Sequence, residues 1–455
     1  MRQIHDINLM TLTEYHIYTI PSGSYFGKQP NDIFLVYAPL SGNMFLADPN
    51  TINKLDNAIS GKENDDEICR LIETLQDTSD IKIETIQHLE DYQVLYVLPN
   101  FICNFSCSYC FSAKGRSKKE LSQSQLKATL DYFVNTNRGQ KALKITFVGG
   151  GEPMMSWQLV KYGIEYASAL AEEQKIELYF GLITNGSVAD EDMLEVLFRN
   201  KVMPRISFEI LEEIQNKQRG QYAKVCQTID KMLNKGIKCE VRSMITPVNV
   251  ERMEEMVLEM TRRFPGIDRY YFDPITDADT FSDPAFTNDF YKAYNDSFIK
   301  ARKLAKTYGK EVKNGVLRSL DTLVERYCNG EFCLTPEGTF SICMEVSSPE
   351  EENYHEHVYG FIDETDNLKI DKEKFYYLKE KEMAQQNPAC KSCFIRWNCG
   401  GGCMSNNNKY AKNILDIICE SNRNLALTLL LERLNEEYIE ENGITLDELI
   451  NNNIQ

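Results

Sequence analysis

The sequence predicts an α/β protein built around a partial, TIM-like (β/α)6 barrel, with a small α+β module before it and a cysteine-rich segment after it. Six apolar strand patterns alternate with amphipathic helical patterns between residues 94 and 272, and strands precede helices in the first 90 residues. Eight of the 14 cysteines follow residue 327. Alternating strands and helices require a parallel sheet covered by helices. We therefore expect three units, at residues 1–90, 91–310 and 311–455.

Composition narrows the function classes. The 455 residues include 50 Lys and Arg against 68 Asp and Glu, a formal net charge of −18. Nucleic-acid binding needs a basic surface, so we expect no nucleic-acid partner. No apolar stretch approaches the roughly 18 residues of a membrane span, and the N-terminus lacks the apolar core of a secretory signal. We expect a cytoplasmic protein without a membrane partner, in which clustered cysteines are ligands or catalytic groups.

Residues 1–90 are predicted to fold as a separate small module, called here the N-terminal module. Its predicted elements are strands at 33–37 and 44–47 and helices at 51–60 and 66–75. A hairpin-type turn joins the two strands. Strands followed by short helices indicate a small α+β unit, and a winged helix is compatible with this order.

The barrel is predicted from six strand patterns and the helical patterns between them. The strands are at 94–98, 143–148, 177–183, 205–210, 240–245 and 270–272, and the helices at 124–135, 157–171, 191–198, 223–233 and 250–264. Residues 290–327 are predicted as a long helical connection and 420–441 as a final amphipathic helix. Residues 328–419, called here the C-terminal segment, show little periodicity, so we expect metal rather than an apolar core to hold them.

The first cysteine cluster follows the first barrel strand directly and reads Cys103-x3-Cys107-x2-Cys110. Structural zinc requires four closed ligands, so three thiolates on one loop suit it poorly. They suit a 4Fe–4S cluster with one iron left open. A partial zinc site and an incidental cysteine-rich loop are the alternatives. The three isolated cysteines are expected to be small buried apolar residues: Cys69, Cys226 and Cys239.

A glycine run follows the second barrel strand. Gly149, Gly150 and Gly151 precede Glu152 and Pro153. Glycine at a strand end lets the backbone approach a ligand that any side chain would block. The glutamate then supplies an acceptor for an ammonium group. This arrangement predicts a small-molecule site beside the cysteine loop.

Together these motifs resemble the radical SAM superfamily, whose members bind S-adenosylmethionine (SAM) at the open iron. The two motifs are about forty residues apart, in successive β–α units. The resemblance implies SAM contacts from Tyr109, Phe111, Gly150, Gly151, Glu152, Thr184, Asn185, Ser207 and Arg219, with both aromatic residues near the adenine. A simple strand-to-helix turn explains Thr184 and Asn185 equally well. Surface or strand-pairing roles are the alternatives for Ser207 and Arg219.

The C-terminal segment resembles the SPASM extension of radical SAM enzymes. The resemblance covers about ninety residues and implies two auxiliary four-cysteine clusters. Auxiliary cluster I would use Cys328, Cys333, Cys343 and Cys403, and auxiliary cluster II would use Cys390, Cys393, Cys399 and Cys419. With the cysteine loop, this makes three 4Fe–4S clusters. Two zinc sites are the alternative, because a C-x2-C pair suits zinc equally well.

The resemblance implies a function as well. Radical SAM enzymes with SPASM extensions mostly modify peptides or proteins, so a maturase of a ribosomally made precursor peptide is the leading interpretation. SAM would be cleaved reductively to a 5′-deoxyadenosyl radical, with a thioether or carbon–carbon cross-link as product. An electron donor such as flavodoxin or ferredoxin is implied. The N-terminal module resembles elements that bind a leader peptide by strand addition; a structural cap on the barrel is the alternative.

Two other functions stay open. Sulfatase-maturing enzymes share the barrel and both auxiliary clusters, but typically place Asp after the third cysteine of the first auxiliary group. Here Met344 follows Cys343, and Glu345 comes one residue later. On a strand, a shift of one residue points the side chain to the opposite face. The fourth strand also departs from the pattern, because no glycine follows Glu209. A non-catalytic Fe–S scaffold is the third hypothesis, against which the intact cysteine and glycine motifs argue.

Overall fold

A computed structural model describes residues 16–62, 65–79, 81–83, 86–328, 330–381 and 387–452. The first 15 residues, considered above for a secretory signal, lie outside the described residues. Within the described ranges, no helix combines the length and the apolar character that crossing a membrane requires.

The N-terminal module consists of a three-stranded antiparallel sheet and two helices. The bounds are Tyr18–Pro21 (β1), Phe34–Ala38 (β2), Asn43–Ala47 (β3), Pro49–Ile59 (α1) and Asp66–Gln76 (α2). The predicted strands and helices are confirmed, and β1 is an addition. The side chain of Asp48 caps α1 by accepting a 2.8 Å hydrogen bond from the Thr51 amide, which satisfies a free N–H of the first turn.

Both faces of this small sheet are apolar, which explains why β2 reads as a continuous apolar run. One face packs against α1 and α2 through Val36 and Ala38. The other face, with Leu35 and Tyr37, joins the main core of the protein. The N-terminal module is therefore fixed to the rest of the chain by one face of its sheet.

The main sheet confirms the predicted series of β–α units. Its parallel strands are Val94–Val97 (β4), Ala142–Phe147 (β5), Glu177–Thr184 (β6), Met203–Ser207 (β7), Glu240–Ile245 (β8) and Arg269–Pro274 (β9). The helices between them are Gln123–Phe133 (α3), Trp157–Gln174 (α4), Glu191–Arg199 (α5), Glu212–Gln218 (α6), Tyr222–Asn234 (α7) and Met253–Arg263 (α8). Neighbours in sequence are neighbours in the sheet, so the carboxyl ends of six strands meet at one edge.

The predicted long helical connection at 290–327 is wrong in part. It contains Pro284–Thr307 (α9) and Gly315–Ser319 (α10), but a seventh parallel strand, Glu311–Lys313 (β10), lies between them and pairs with β9. The strand has one buried residue, Val312, between two charged ones. Three residues are too short for a periodic pattern to be recognised.

The C-terminal segment extends the same sheet. Its strands are Phe332–Leu334 (β11), Thr339–Ser341 (β12), Val358–Ile362 (β13) and Leu368–Ile370 (β14); β11 runs parallel to β4 and the others follow antiparallel. The helices are Tyr354–His357 (α11), Lys372–Glu380 (α12), Arg396–Cys399 (α13), Met404–Lys409 (α14), Lys412–Asn442 (α15) and Leu446–Asn452 (α16). Among the described residues, β10 and β14 are the two edges of the 11-stranded sheet, so the barrel is not closed by hydrogen bonds.

An apolar core helps to hold the C-terminal segment, contrary to the expectation that metal would do so alone. Phe332, Leu334 and Phe340 are fully buried and belong to the main core. The strands that carry them have only three residues each, so the sequence shows little periodicity although the side chains are buried. The helix predicted as the last one, α15, begins eight residues before its predicted start, packs against α9 and is followed by the short helix α16.

Candidate functional site

A cavity of about 270 Å³ opens at the carboxyl ends of the parallel strands. All twelve residues predicted for the first cluster and for SAM line it: Cys103, Cys107, Cys110, Tyr109, Phe111, Gly150, Gly151, Glu152, Thr184, Asn185, Ser207 and Arg219. They come from four separate strand ends. Met344 and Glu345 of the C-terminal segment complete the wall.

The glycine run is bonded to the start of the cysteine loop. The Gly151 amide donates to the Asn100 carbonyl at 3.0 Å, and the Glu152 amide donates to the Ile102 carbonyl at 2.7 Å. A Cβ on Gly151 would lie 2.0 Å from the Ile102 carbonyl oxygen. Glycine is therefore required at position 151 because the backbone of the cysteine loop approaches it closely. This approach aligns the glycine run with the start of the cysteine loop.

Asn100 organises this junction and was missed by the sequence analysis. It is 1% exposed. Its amide nitrogen donates to the Glu152 carbonyl at 3.0 Å and to Ser156 Oγ at 2.6 Å, while its oxygen accepts from the Ile102 amide at 2.9 Å. Nothing in the sequence identifies these partners, because two of them are more than fifty residues away.

The Glu152 carboxylate is buried and has three donors from the protein. Oε1 accepts from Thr184 Oγ1 at 2.7 Å and from the Met154 amide at 3.1 Å, and Oε2 accepts from the Asn185 amide at 2.7 Å. Burial raises the pKa of Glu152, and these hydrogen bonds oppose the shift. A carboxylate has about four acceptor positions, so one position on Oε2 has no donor from the described residues.

Thr184 and Asn185 form more than a simple turn. The backbone amide of Asn185 binds Glu152, and its side-chain Nδ2 donates to Asn104 Oδ1 at 3.0 Å. Asn104 in turn donates to Ser187 Oγ at 2.8 Å. These contacts join the end of β6 to the cysteine loop, and they connect the predicted ligands of SAM with the predicted ligands of the cluster.

The three thiols of the cysteine loop are half-buried and lie near two guanidinium groups. Burial raises the pKa of Cys107, and Arg219 lowers it in opposition. Arg116, which the sequence analysis did not single out, donates to Cys110 Sγ at 3.2 Å. Cationic neighbours stabilise the thiolates that iron requires as ligands, so this donor set fits an Fe–S cluster.

Tyr109 and Arg219 meet at the buried carboxylate of Glu209, for which the sequence predicted no role in the site. Tyr109 donates its hydroxyl to Glu209, which is fully buried, and Arg219 Nη1 donates to the Tyr109 oxygen at 3.0 Å. Ser243 Oγ donates to Glu209 Oε2 at 2.6 Å. Burial raises the pKa of Glu209, and Arg219 is the strongest opposing influence. Tyr109 is thereby held in one orientation on the cavity wall.

Ile210 follows this glutamate and has a strained backbone. Its φ is 67°, in the left-handed region that favours glycine. The residue is buried, so packing holds the conformation. Ile210 therefore adopts, at a cost of about 1–3 kcal/mol, a backbone conformation that glycine would adopt without strain.

The cysteines of predicted auxiliary cluster II influence one another's pKa values. Burial, with smaller contributions from Cys393, Cys419 and Cys390, raises the pKa of Cys399 to about 12. In predicted cluster I, burial chiefly raises the pKa of Cys328 to about 12, with a contribution from Cys403 far along the chain.

Cys343 and Cys333 differ in their surroundings. Burial raises the pKa of Cys343, and Cys328 is among the groups that add to the shift. Cys333 is fully buried against Leu98 and Val148. Burial is the main cause of its raised pKa, and the smaller contributions come from the carboxylates of Glu331 and Glu351 and not from another cysteine. Contributions between cysteines to these pKa values thus connect Cys390, Cys393, Cys399 and Cys419, and separately Cys328, Cys343 and Cys403.

Among the described residues, no three His, Cys, Asp or Glu side chains converge closely enough to hold a single metal ion. A 4Fe–4S cluster distributes its four thiolates over four irons. Of the isolated cysteines, Cys226 and Cys239 are buried as predicted, and Cys69 is half-buried.

Residues 97–260 match the family described as the radical SAM superfamily. Two curated relatives are similar over shorter segments. The radical SAM cyclopropyl synthase TigE of Paramaledivibacter caminithermalis is 22% identical over 30% of this chain and 31% of its own length. The cysteine-type anaerobic sulfatase-maturating enzyme of Clostridium perfringens is 28% identical over 26% of this chain and 32% of its own length. The matches thus span about a third of each relative.

Two solved structures share the fold. Native anSMEcpe with bound AdoMet (SAM) and the Cp18Cys peptide has a TM-score of 0.59 at 17% identity, over 75% of this chain and 99% of that one. Streptococcus suis SuiB bound to the precursor peptide SuiA has a TM-score of 0.50 at 15% identity, over 84% of this chain and 97% of that one. Both likenesses extend well beyond residues 97–260.

Proposed function

We propose, because residues 97–260 form a radical SAM domain, that this protein is a radical SAM maturase of a ribosomally synthesised precursor peptide. The observation that carries the proposal is the cavity in which one loop and three further strand ends bring together the predicted cluster and SAM residues. The chemistry supplied there is reductive cleavage of SAM to methionine and a 5′-deoxyadenosyl radical, which abstracts a hydrogen atom from the peptide. Closing a thioether or carbon–carbon cross-link would then release one proton and one electron, and a proposed auxiliary cluster would accept that electron.

The residues of the chain have distinct parts in this proposal. Cys103, Cys107 and Cys110 hold the cluster, and the free position on Glu152 Oε2 accepts the SAM ammonium. The Tyr109–Glu209–Arg219 contact fixes Tyr109 on the cavity wall, and Phe111, which lines the same cavity and is 48% exposed, is available to pack on adenine. Ser207 lines the cavity beside this group.

The two auxiliary clusters are proposed at the cysteine groups of the C-terminal segment. Cys403 contributes to the raised pKa of Cys328 although it lies far later in the chain, and this contribution supports the crossed assignment. Cys333 is retained as the fourth ligand of cluster I as a proposal, although its thiol faces Leu98 and Val148. An electron donor of the flavodoxin or ferredoxin type would reduce the first cluster.

Leader-peptide binding is proposed at the outer edge of β3, which pairs with no further strand within the described part of the chain. A cavity of about 900 Å³ adjoins the start of this strand, between the β2–β3 turn and the end of α2. An added strand would hydrogen-bond the outward amides of β3. Hydrogen exchange of the full chain should show slower exchange in Asn43–Ala47 when precursor is added, with β1 as the internal control. Unchanged exchange in β3 would leave the module as a structural cap.

Formylglycine formation is the second candidate, favoured by the likeness to the sulfatase-maturating enzyme and by Glu345 on the cavity wall. Lys409 Nζ lies 3.4 Å from the Glu345 carboxylate, which holds this side chain in place. Incubation with a sulfatase-derived peptide that contains Cys or Ser, followed by mass spectrometry, separates the candidates. A maturase of another precursor should leave this peptide unchanged.

The experiment that tests the proposal is SAM cleavage by the anaerobically reconstituted protein. The full chain should hold about twelve irons, four in each cluster, and should release 5′-deoxyadenosine with dithionite. Replacing Cys103, Cys107 and Cys110 together with Ala should remove about four irons and all cleavage. Retained cleavage would contradict the assignment of the open cluster, and a wild-type protein without cleavage would favour a non-catalytic scaffold.

A further inference from the structure

Arg116 presents a guanidinium group directly to the cysteine loop. Nη2 lies 3.2 Å from Cys110 Sγ, and Nη1 donates to the Phe105 carbonyl at 2.7 Å. Among the described residues, no carboxylate lies within ion-pair distance of Arg116, whereas Arg219 is 3.9 Å from the buried carboxylate of Glu209. The charge of Arg116 therefore faces the thiols without a carboxylate partner.

The backbone around Arg116 is held in place by the end of the first barrel strand. The Phe101 amide donates to the Lys119 carbonyl at 3.0 Å, and the Ser117 amide donates to the Phe101 carbonyl at 3.4 Å. The preceding residue, Gly115, packs so closely that an added Cβ would lie 2.6 Å from Ser348 Cβ. Arg116 is thus anchored on both sides, and its contact with Cys110 does not depend on a mobile side chain alone.

A positive group that donates a hydrogen bond to a ligand sulfur stabilises the more negative state of an Fe–S cluster. On the basis of the proposed function, we propose that Arg116 is a positioning residue that raises the reduction potential of the cluster on Cys103, Cys107 and Cys110. The step concerned is the uptake of one electron from an external reductant by the oxidised cluster. Arg116 makes this uptake more favourable and takes no part in bond making or breaking.

The test is a redox titration of the reconstituted full chain with dithionite, followed by electron paramagnetic resonance. The signal of this cluster is the one that the Cys103, Cys107 and Cys110 triple variant lacks. Arg116→Gln should disfavour reduction at least tenfold, which equals a midpoint 59 mV more negative for one electron. Arg116→Lys, which keeps the charge but not the planar fork, should shift the equilibrium more than twofold but less than Arg116→Gln.

Lys118→Gln is the matched control, because it removes the same charge from an exposed position on the same loop. It should change the equilibrium less than twofold. An Arg116→Gln midpoint equal to that of the wild type, or an equal shift in Lys118→Gln, would overturn the proposal. If Arg116→Gln cannot hold the cluster, Arg116→Lys decides in the same way, and loss of the cluster from both variants overturns the proposal.

A failure of the proposed function is distinguishable from a failure of this inference. If no signal is missing from the triple cysteine variant, no cluster is held by the loop, and the proposed function is contradicted along with the inference. If the signal is present and only the Arg116 variants fail to shift it, the proposed function stands and the role of Arg116 is contradicted.

Discussion

Tyr37 of the N-terminal module donates a 2.9 Å hydrogen bond to the side-chain oxygen of Asn398, the residue directly before Cys399. Both side chains are buried, and nearby the rings of His16 and Trp397 meet edge to face at 5.0 Å. The N-terminal module is therefore fastened to the part of the chain that carries predicted auxiliary cluster II. A partner bound to the module would be connected to that cluster more directly than to the SAM cavity.

Tyr37→Phe should lower the free energy of unfolding by about 1–3 kcal/mol, because the buried Asn398 oxygen would lose its donor. Denaturant unfolding of the reconstituted protein measures the change. Tyr377→Phe is the control, since Tyr377 is 62% exposed, and it should stay within about 0.5 kcal/mol of the wild type. Equal stability of Tyr37→Phe and the control would show that the hydrogen bond does not fasten the module.

Glu152→Ala should weaken SAM binding and also destabilise the protein, while iron content stays unchanged. The substitution leaves the Asn185 amide and the Thr184 hydroxyl without their acceptor, at a cost of about 1–3 kcal/mol for each buried group. Equilibrium dialysis with SAM, denaturant unfolding and iron analysis check these three outcomes. Glu177→Ala, at an exposed position on the same sheet, should change none of the three quantities. Normal SAM affinity in Glu152→Ala would remove Glu152 from the site.

The cysteine loop and the glycine run could be placed at one site from the sequence, because both follow parallel strands whose carboxyl ends meet at one edge. The other predicted SAM contacts came from the resemblance to the radical SAM superfamily. No role could be predicted for Asn100, Glu209 or Arg116, because their importance depends on partners that only the folded chain brings near. Tyr109 and Glu209, for example, are 100 residues apart. The core of the C-terminal segment was not predictable from the sequence either, because three-residue strands such as β11 carry too few residues for alternation to be detected.

The lowered pKa of Lys379 implies that the stability of the protein depends on pH. Burial lowers its pKa to about 8, and Arg326 contributes to the shift. The folded protein therefore binds fewer protons than the unfolded chain between pH 8 and the ordinary lysine value of about 10.4, so stability rises with pH across this window. Below pH 8 the penalty of the buried charge is fully present.

Lys379→Met should therefore be more stable than the wild type at pH 7, by about 1–3 kcal/mol, and this advantage should disappear as pH rises towards 10. Unfolding curves at several pH values measure the difference. Lys372→Met, at an exposed position in the same helix, should show no such trend. A constant difference between Lys379→Met and the wild type across the range would mean that the charge of Lys379 is not the cause.

Cys419→Ala tests the crossed arrangement of the auxiliary clusters. Cys419 is exposed on α15. It nevertheless contributes to the raised pKa of Cys399, for which burial is the main cause. Loss of its thiolate should remove up to about four irons. The helix itself should remain in place, because Leu425 and Leu429 fix it in the main core independently of the thiol.

The effects of Cys419→Ala on the two activities should therefore separate. Cleavage of SAM without peptide should be nearly unchanged, because the cavity contains no residue of α15. Formation of modified peptide should fall much further, since the path for the surplus electron or the platform for the substrate would be lost. Cys69→Ala, in the N-terminal module, is the control and should keep both activities. If Cys419→Ala retains full iron and normal product yield, Cys419 is not a ligand, and the second auxiliary cluster has an open iron at which the substrate can bind directly.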